Sequence, residues 1–274
     1  MKKVLCPTDF SATADNGIAY AAKLAHRTGS HLDLLHVLTL VDRTPEEALL
    51  GEQLNAQMAY DRLENQCREI SKVFRVSCNA HVIANIAGLS SLIENEAVGH
   101  DLIVMGTHGP GNVFEYFFGS HSYRMARQSE IPVLVVPSGC LYSDIRKTVF
   151  AFDYWRKNKL PLSQLISVLK PMESDLTILE VLEESTSRKA DEEMTADQQL
   201  ILDTHRHEVK LDFDTLHTGH IAAALDRYVK EKKFDVLALC ALRQNFIGRL
   251  FHKSLIKEMS MIATYPLLVI HDQG

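Results

Sequence analysis

The sequence carries the same strand–helix rhythm twice. KKVLCPTD (residues 2–9) is echoed by RKTVFAFD (146–153), and both end on an acidic residue, Asp9 and Asp153. DLIVMG (101–106) is echoed by DVLALC (235–240), and IPVLVVP (131–137) by YPLLVIH (265–271). The spacing from Asp101 to Pro132 is the same as that from Asp235 to Pro266. Self-similarity at this scale means a duplicated folding unit. A break near SGCLYSDI (138–145) divides the 274 residues into 1–140 and 141–274. That connection is short, so the two units are expected to pack closely.

Within the first unit, short apolar runs alternate with amphipathic stretches. Strands are expected at 4–9, 32–38, 77–84, 101–106 and 131–137. Helices are expected at 11–28, 45–73, 89–97 and about 120–128, with Pro45 at a first helical position. Short, fully apolar strands separated by helices imply a parallel sheet covered on both faces. The chain is therefore α/β, with two tandem doubly wound domains.

In open α/β sheets, ligands sit beyond the carboxyl ends of the strands. Asp9, the His36-Val37 pair and Gly106 fall at such ends. The segment GTHGPGNVFEYFFGS (106–120) holds four of the chain's thirteen glycines. Gly106 and Gly109 would let the backbone approach a ligand closely. Gly119-Ser120 would open a helix whose unpaired amides and dipole suit a phosphate, with the Ser120 and Ser122 hydroxyls as further donors. Taken alone, a turn and a helix cap account for these glycines equally well. The segment is neither a GxxxxGK[ST] loop nor a GxGxxG turn.

The spacing Gly106, two residues, Gly109, nine residues, Gly119-Ser120 resembles the G-2x-G-9x-G-[ST] signature of the universal stress protein family. KVLCPTDFS, LDLLHVL and IPVLVVP are similar to the family's first, second and fifth strands. The resemblance implies five-stranded parallel sheets in the order 3-2-1-4-5, flanked by helices in the adenine nucleotide alpha hydrolase-like manner. It also implies ATP as ligand, with Mg²⁺ as companion. Carried over by motif, Asp9 and Val37 would flank the adenosine, with Pro7 and Thr8 beside them. Gly106, Gly109, Gly119 and Ser120 would hold ribose and phosphates, with Met105, Thr107, His108, His121 and Ser122 around them. Family pairs join through the fifth strand, which implies a pseudo-dimer inside one chain and leaves a dimer of chains open.

The second unit departs from the signature. Gly106 falls on Cys240, Gly109 on Arg243 and Gly119 on Lys253, and only Ser120 keeps its identity, as Ser254. One ATP site, in the first unit, is therefore expected. Three functions stay open: a nucleotide-binding regulatory protein with a protein partner, a slow Mg²⁺-dependent ATPase or phosphotransferase using Asp9, and a nucleotide-free scaffold.

A net charge of −6 without a Lys/Arg run argues against nucleic acid. No apolar run approaches the ~20 residues of a membrane span. Five scattered cysteines, none in a CxxC, fit small thiols in a reducing cytoplasm. The polar stretch 183–199 is expected to be a flexible loop running into an exposed helix.

Overall fold

A computed structural model describes residues 1–39, 45–85, 89–107, 129–153, 160–182, 200–201, 203–205, 207–241 and 253–271. The expected helix at 120–128 and the stretch 183–199 lie outside them. The first unit runs β1 (Lys3–Thr8), α1 (Ala12–Thr28), β2 (His31–Thr39), α2 (Pro45–Phe74), β3 (Cys78–Asn85), α3 (Leu89–Glu96), β4 (Leu102–Thr107) and β5 (Val133–Pro137). The second runs β6 (Lys147–Asp153), α4 (Leu162–Leu169), β7 (Asp175–Leu182), β8 (Leu211–His217), α5 (Ile221–Lys232), β9 (Val236–Ala241), α6 (Lys253–Ile262) and β10 (Leu267–His271).

The ten strands among the described residues form one sheet, in the order β3-β2-β1-β4-β5-β10-β9-β6-β7-β8. Each half has the order 3-2-1-4-5 and is parallel within itself. The halves meet where β5 and β10 pair antiparallel. The carboxyl ends of the strands consequently face opposite edges of the sheet in the two halves.

The repeat extends to individual bonds. Asp101, ahead of β4, accepts the Lys3 amide at 2.9 Å. Asp235, ahead of β9, accepts the Arg146 and Lys147 amides at 2.8 and 2.9 Å. Each aspartate thereby satisfies the otherwise open start of the neighbouring strand, β1 or β6.

α1 has clear boundaries for sequence reasons. Ser11 caps it, accepting the Ala14 amide at 3.2 Å, and Gly29 closes it at φ 65°. Its buried face is rich in small residues, Ala14, Gly17, Ala21, Ala22 and Ala25. That face lets the helix lie directly on the sheet, and its core continues through Val4, Cys6, Leu102 and Val104. On the opposite side, Ile93 of α3 and Ala97 just after it cover Leu5, Leu35, Ile103 and Met105.

Candidate functional site

The strand order reverses between β1 and β4, and a crevice opens at such a switch point. Here the opening has a covalent cause. The β1–β4 ladder holds Val4↔Leu102 and Leu5↔Ile103 and then stops. Pro7 follows, and proline has no N–H to donate. In the second half Ala151 occupies the place of Pro7, and the β6–β9 ladder continues to Ala151↔Leu239. The strands at the switch point are thus unpaired earlier in the first half than in the second.

Strand alternation puts Pro7, Val37, Met105 and Thr107 on the face that α3 covers. Met105 belongs to the buried cluster there, with Val37 packed against it. Thr107 is buried, yet its hydroxyl has no hydrogen-bond partner among the described residues. An unpartnered buried hydroxyl is costly unless something else satisfies it. It lies on β4, at its last residue.

At the end of β1, Thr8 and Asp9 organise the turn into α1. Thr8 Oγ1 accepts the Phe10 amide at 3.0 Å, and Asp9 Oδ1 accepts the Ser11 amide at 2.9 Å. Asp9 thus shapes the turn, while Ser11 is the helix cap. Phe10 is held at φ 63°, a conformation few non-glycine residues adopt. Its ring packs tilted against His36, with centroids 4.3 Å apart and planes at 33°, and the Arg62 guanidinium lies 4.2 Å from its centre. The Thr8 carbonyl accepts a hydrogen bond from His36 Nδ1 at 2.8 Å, so that nitrogen carries a proton. Phe10 and Arg62 are not recognisable as neighbours of the crevice from the sequence. The left-handed turn that aims the phenyl ring has no signature in the residues themselves.

Gly106 also has a packing role within the fold. A Cβ on Gly106 would stand 2.0 Å from the Thr13 carbonyl oxygen, and one on Gly17 would stand 2.5 Å from the Gly106 amide. The close approach at this glycine is between β4 and the first turns of α1. Its φ is not in the left-handed region either. In the second half the corresponding residue is Cys240, and α4 is a helix of only 8 residues against 17 in α1. His108, Gly109, Gly119, Ser120, His121 and Ser122, with Arg243 in the second half, lie outside the described residues.

A separate charged cluster sits near the amino ends of β2 and β3. Asp33 is buried in β2. His31 and His100 each place Nε2 at 2.8 Å from one of its oxygens, and His81 Nε2 lies 3.3 Å away. Burial by itself would raise the Asp33 pKa, but hydrogen bonds from His100 and His31, with the nearby imidazole charges, hold it well below the usual carboxylate range. All three imidazoles are turned on the carboxylate. Among the described residues no group of three or more His, Cys, Asp or Glu side chains is arranged to hold a metal ion.

A doubled, doubly wound parallel sheet with a crevice at each switch point defines an open α/β protein. The model of the universal stress protein family matches residues 1–137, and the chain belongs to that family. A universal stress protein, MJ0577, from Methanocaldococcus jannaschii is 30% identical over 154 residues, covering 49% of this chain and 94% of that protein. Across both halves, the crystal structure of a universal stress protein from Archaeoglobus fulgidus matches with a TM-score of 0.74 at 16% identity, covering 99% of this chain and 98% of that one. A putative universal stress protein from Pseudomonas aeruginosa matches with a TM-score of 0.57 at 14% identity, covering 99% and 94%. No helix among the described residues is long and apolar enough to cross a membrane.

Proposed function

We infer that the chain is a cytoplasmic ATP-binding regulatory protein with one nucleotide site, at the switch point of residues 1–140. The observation that carries this reading is the difference between the two switch points. Pro7 ends the β1–β4 ladder early, Thr107 presents a buried hydroxyl without a partner among the described residues, and the G-2x-G-9x-G-S spacing runs on from Gly106. In the second unit, 141–274, the ladder is longer and the glycines are replaced.

In this reading the adenosine lies between Asp9 and Val37, beside Pro7 and Thr8. The amides of Gly109, Gly119 and Ser120 and the Ser120 and Ser122 hydroxyls hold the phosphates. His108 and His121 border them, and Mg²⁺ accompanies the nucleotide. Binding acts as a switch to the extent that ATP favours one conformation over another.

The test is calorimetric titration of the full chain with ATP and Mg²⁺, in the wild type and in Gly119→Lys. The expected result is one ATP per chain, abolished by a substitution that leaves the melting temperature unchanged. Two ATP per chain, or unchanged binding by Gly119→Lys, overturns it. Phosphate release abolished by Asp9→Asn would mark the protein as an enzyme instead.

A further inference from the structure

Two cysteines that the chain keeps apart are brought together at the end of α2. Cys67, on that helix, is buried, and Cys78, the first residue of edge strand β3, is half-buried. Their sulfurs are 2.8 Å apart, within one ångström of the ~2.05 Å of a disulfide bond. The connection between them is a tight turn, with Arg75 at φ 56°. Both cysteines line a surface pocket of about 540 Å³, together with Arg68, Ser71, Asn79 and His81. The pocket lies at the amino end of β3, whereas the nucleotide site lies at the carboxyl ends of the strands.

We propose that Cys67 and Cys78 are a redox modification site, closed to a disulfide by hydrogen peroxide entering this pocket. The proposal is independent of nucleotide binding. The Cys78 thiolate attacks one peroxide oxygen, the O–O bond breaks, and the departing hydroxide takes up a proton as water. Cys78 is then a sulfenic acid. The Cys67 thiolate attacks its sulfur, the S–O bond breaks, and the hydroxyl leaves as a second water. Two thiols lose two electrons, and one peroxide becomes two waters.

The surroundings set the pace and the selectivity. The hydrogen bond to Cys67 and then burial push the Cys78 thiol upward, so the closure quickens with rising pH. Arg68 is the cation in the pocket, although Glu64 holds its Nη2 at 2.8 Å. Cys6 does not line the pocket; it is fully buried, and burial pushes its thiol up to about 12. Cys140 stands in the connection between the halves and Cys240 on β9. The closed bond would fasten the end of α2 to the sheet's edge strand.

Peptide mapping tests this on the full chain. The protein is exposed to hydrogen peroxide at neutral and mildly alkaline pH, alkylated in denaturant and digested. The expected product has lost two hydrogens and joins a Cys67 peptide to a Cys78 peptide, faster at the higher pH, and dithiothreitol restores both thiols. In Cys67→Ser, Cys78 is expected as a sulfenic acid captured by dimedone; in Cys78→Ser no internal bond forms. Both thiols alkylated in full after peroxide, or a product joined through Cys6, Cys140 or Cys240, overturns the proposal. The wild-type map decides the matter even if a variant fails to fold.

Discussion

Leu134 of β5 lies directly across the antiparallel ladder from Leu268 of β10, the residue at the same place in the second repeat. The flanking pairs, Val133↔Val269 and Val135↔Leu267, exchange partners in the same way. The pseudo-twofold axis that relates the halves therefore passes through the Leu134–Leu268 pair. Both side chains are fully buried, so the join between the repeats is core rather than surface.

That position predicts coupled energetics. Leu134→Ala and Leu268→Ala are each expected to cost about 3 kcal/mol, as a buried leucine truncation does. The double variant should cost less than the sum, because neighbours share a cavity and a partner. Urea unfolding of the four proteins measures this. Strict additivity would mean that the two leucines do not pack on each other.

Gly106→Ala gives a second expectation. Its Cβ would collide with the Thr13 carbonyl, which is helix backbone and has little room to move. Overpacking of this kind costs about 3 kcal/mol. The loss should appear in the apo protein's melting temperature. An unchanged apo stability, with only nucleotide affinity reduced, would contradict the packing role.

Much of the fold is legible in the sequence. The strands are short apolar runs bounded by polar residues, so β1 to β5 fall within a residue or two of their expected places, while their order in the sheet is implied by the family resemblance. The site is less legible. The packing role of Gly106 is hidden because its partner, the first turns of α1, comes from about ninety residues earlier in the chain, and only tertiary packing reveals the approach. The Asp33 cluster gathers residues from β2, β3 and the turn before β4. The one local hint is a carboxylate inside the apolar run LDLLHVL, where an unpaired charge would be expelled. The contact between Cys67 and Cys78 likewise depends on how α2 lies on β3.

Asp33 makes stability depend on acid in a stated direction. Its folded pKa lies below its unfolded value, so its contribution is fully present above about pH 5 and is lost as pH falls below about 4. Asp33→Asn is expected to cost about 3 kcal/mol at pH 7, since it leaves His31 and His100 facing an amide. Urea melts at pH 7, 5 and 3 should show the gap between wild type and variant holding down to pH 5 and narrowing at pH 3. A gap that widens in acid would reverse the assignment.

Pro7 carries the most direct test of the switch-point reading. Ala151 in the second half shows what the same position does with an N–H: its ladder to β9 runs on to Leu239. Pro7→Ala supplies that N–H in the first half and allows β1 to zip further along β4 towards Met105. The added hydrogen bond is worth about 1 kcal/mol, and the lost ring rigidity offsets a similar amount. The melting temperature should therefore change little, while the crevice narrows. ATP affinity is expected to fall about tenfold, read by titration calorimetry, and the new amide should be protected in hydrogen exchange. If the amide is protected and the affinity is unchanged, the early end of the ladder has no part in binding. If the amide exchanges freely, something other than the missing N–H holds the strands apart.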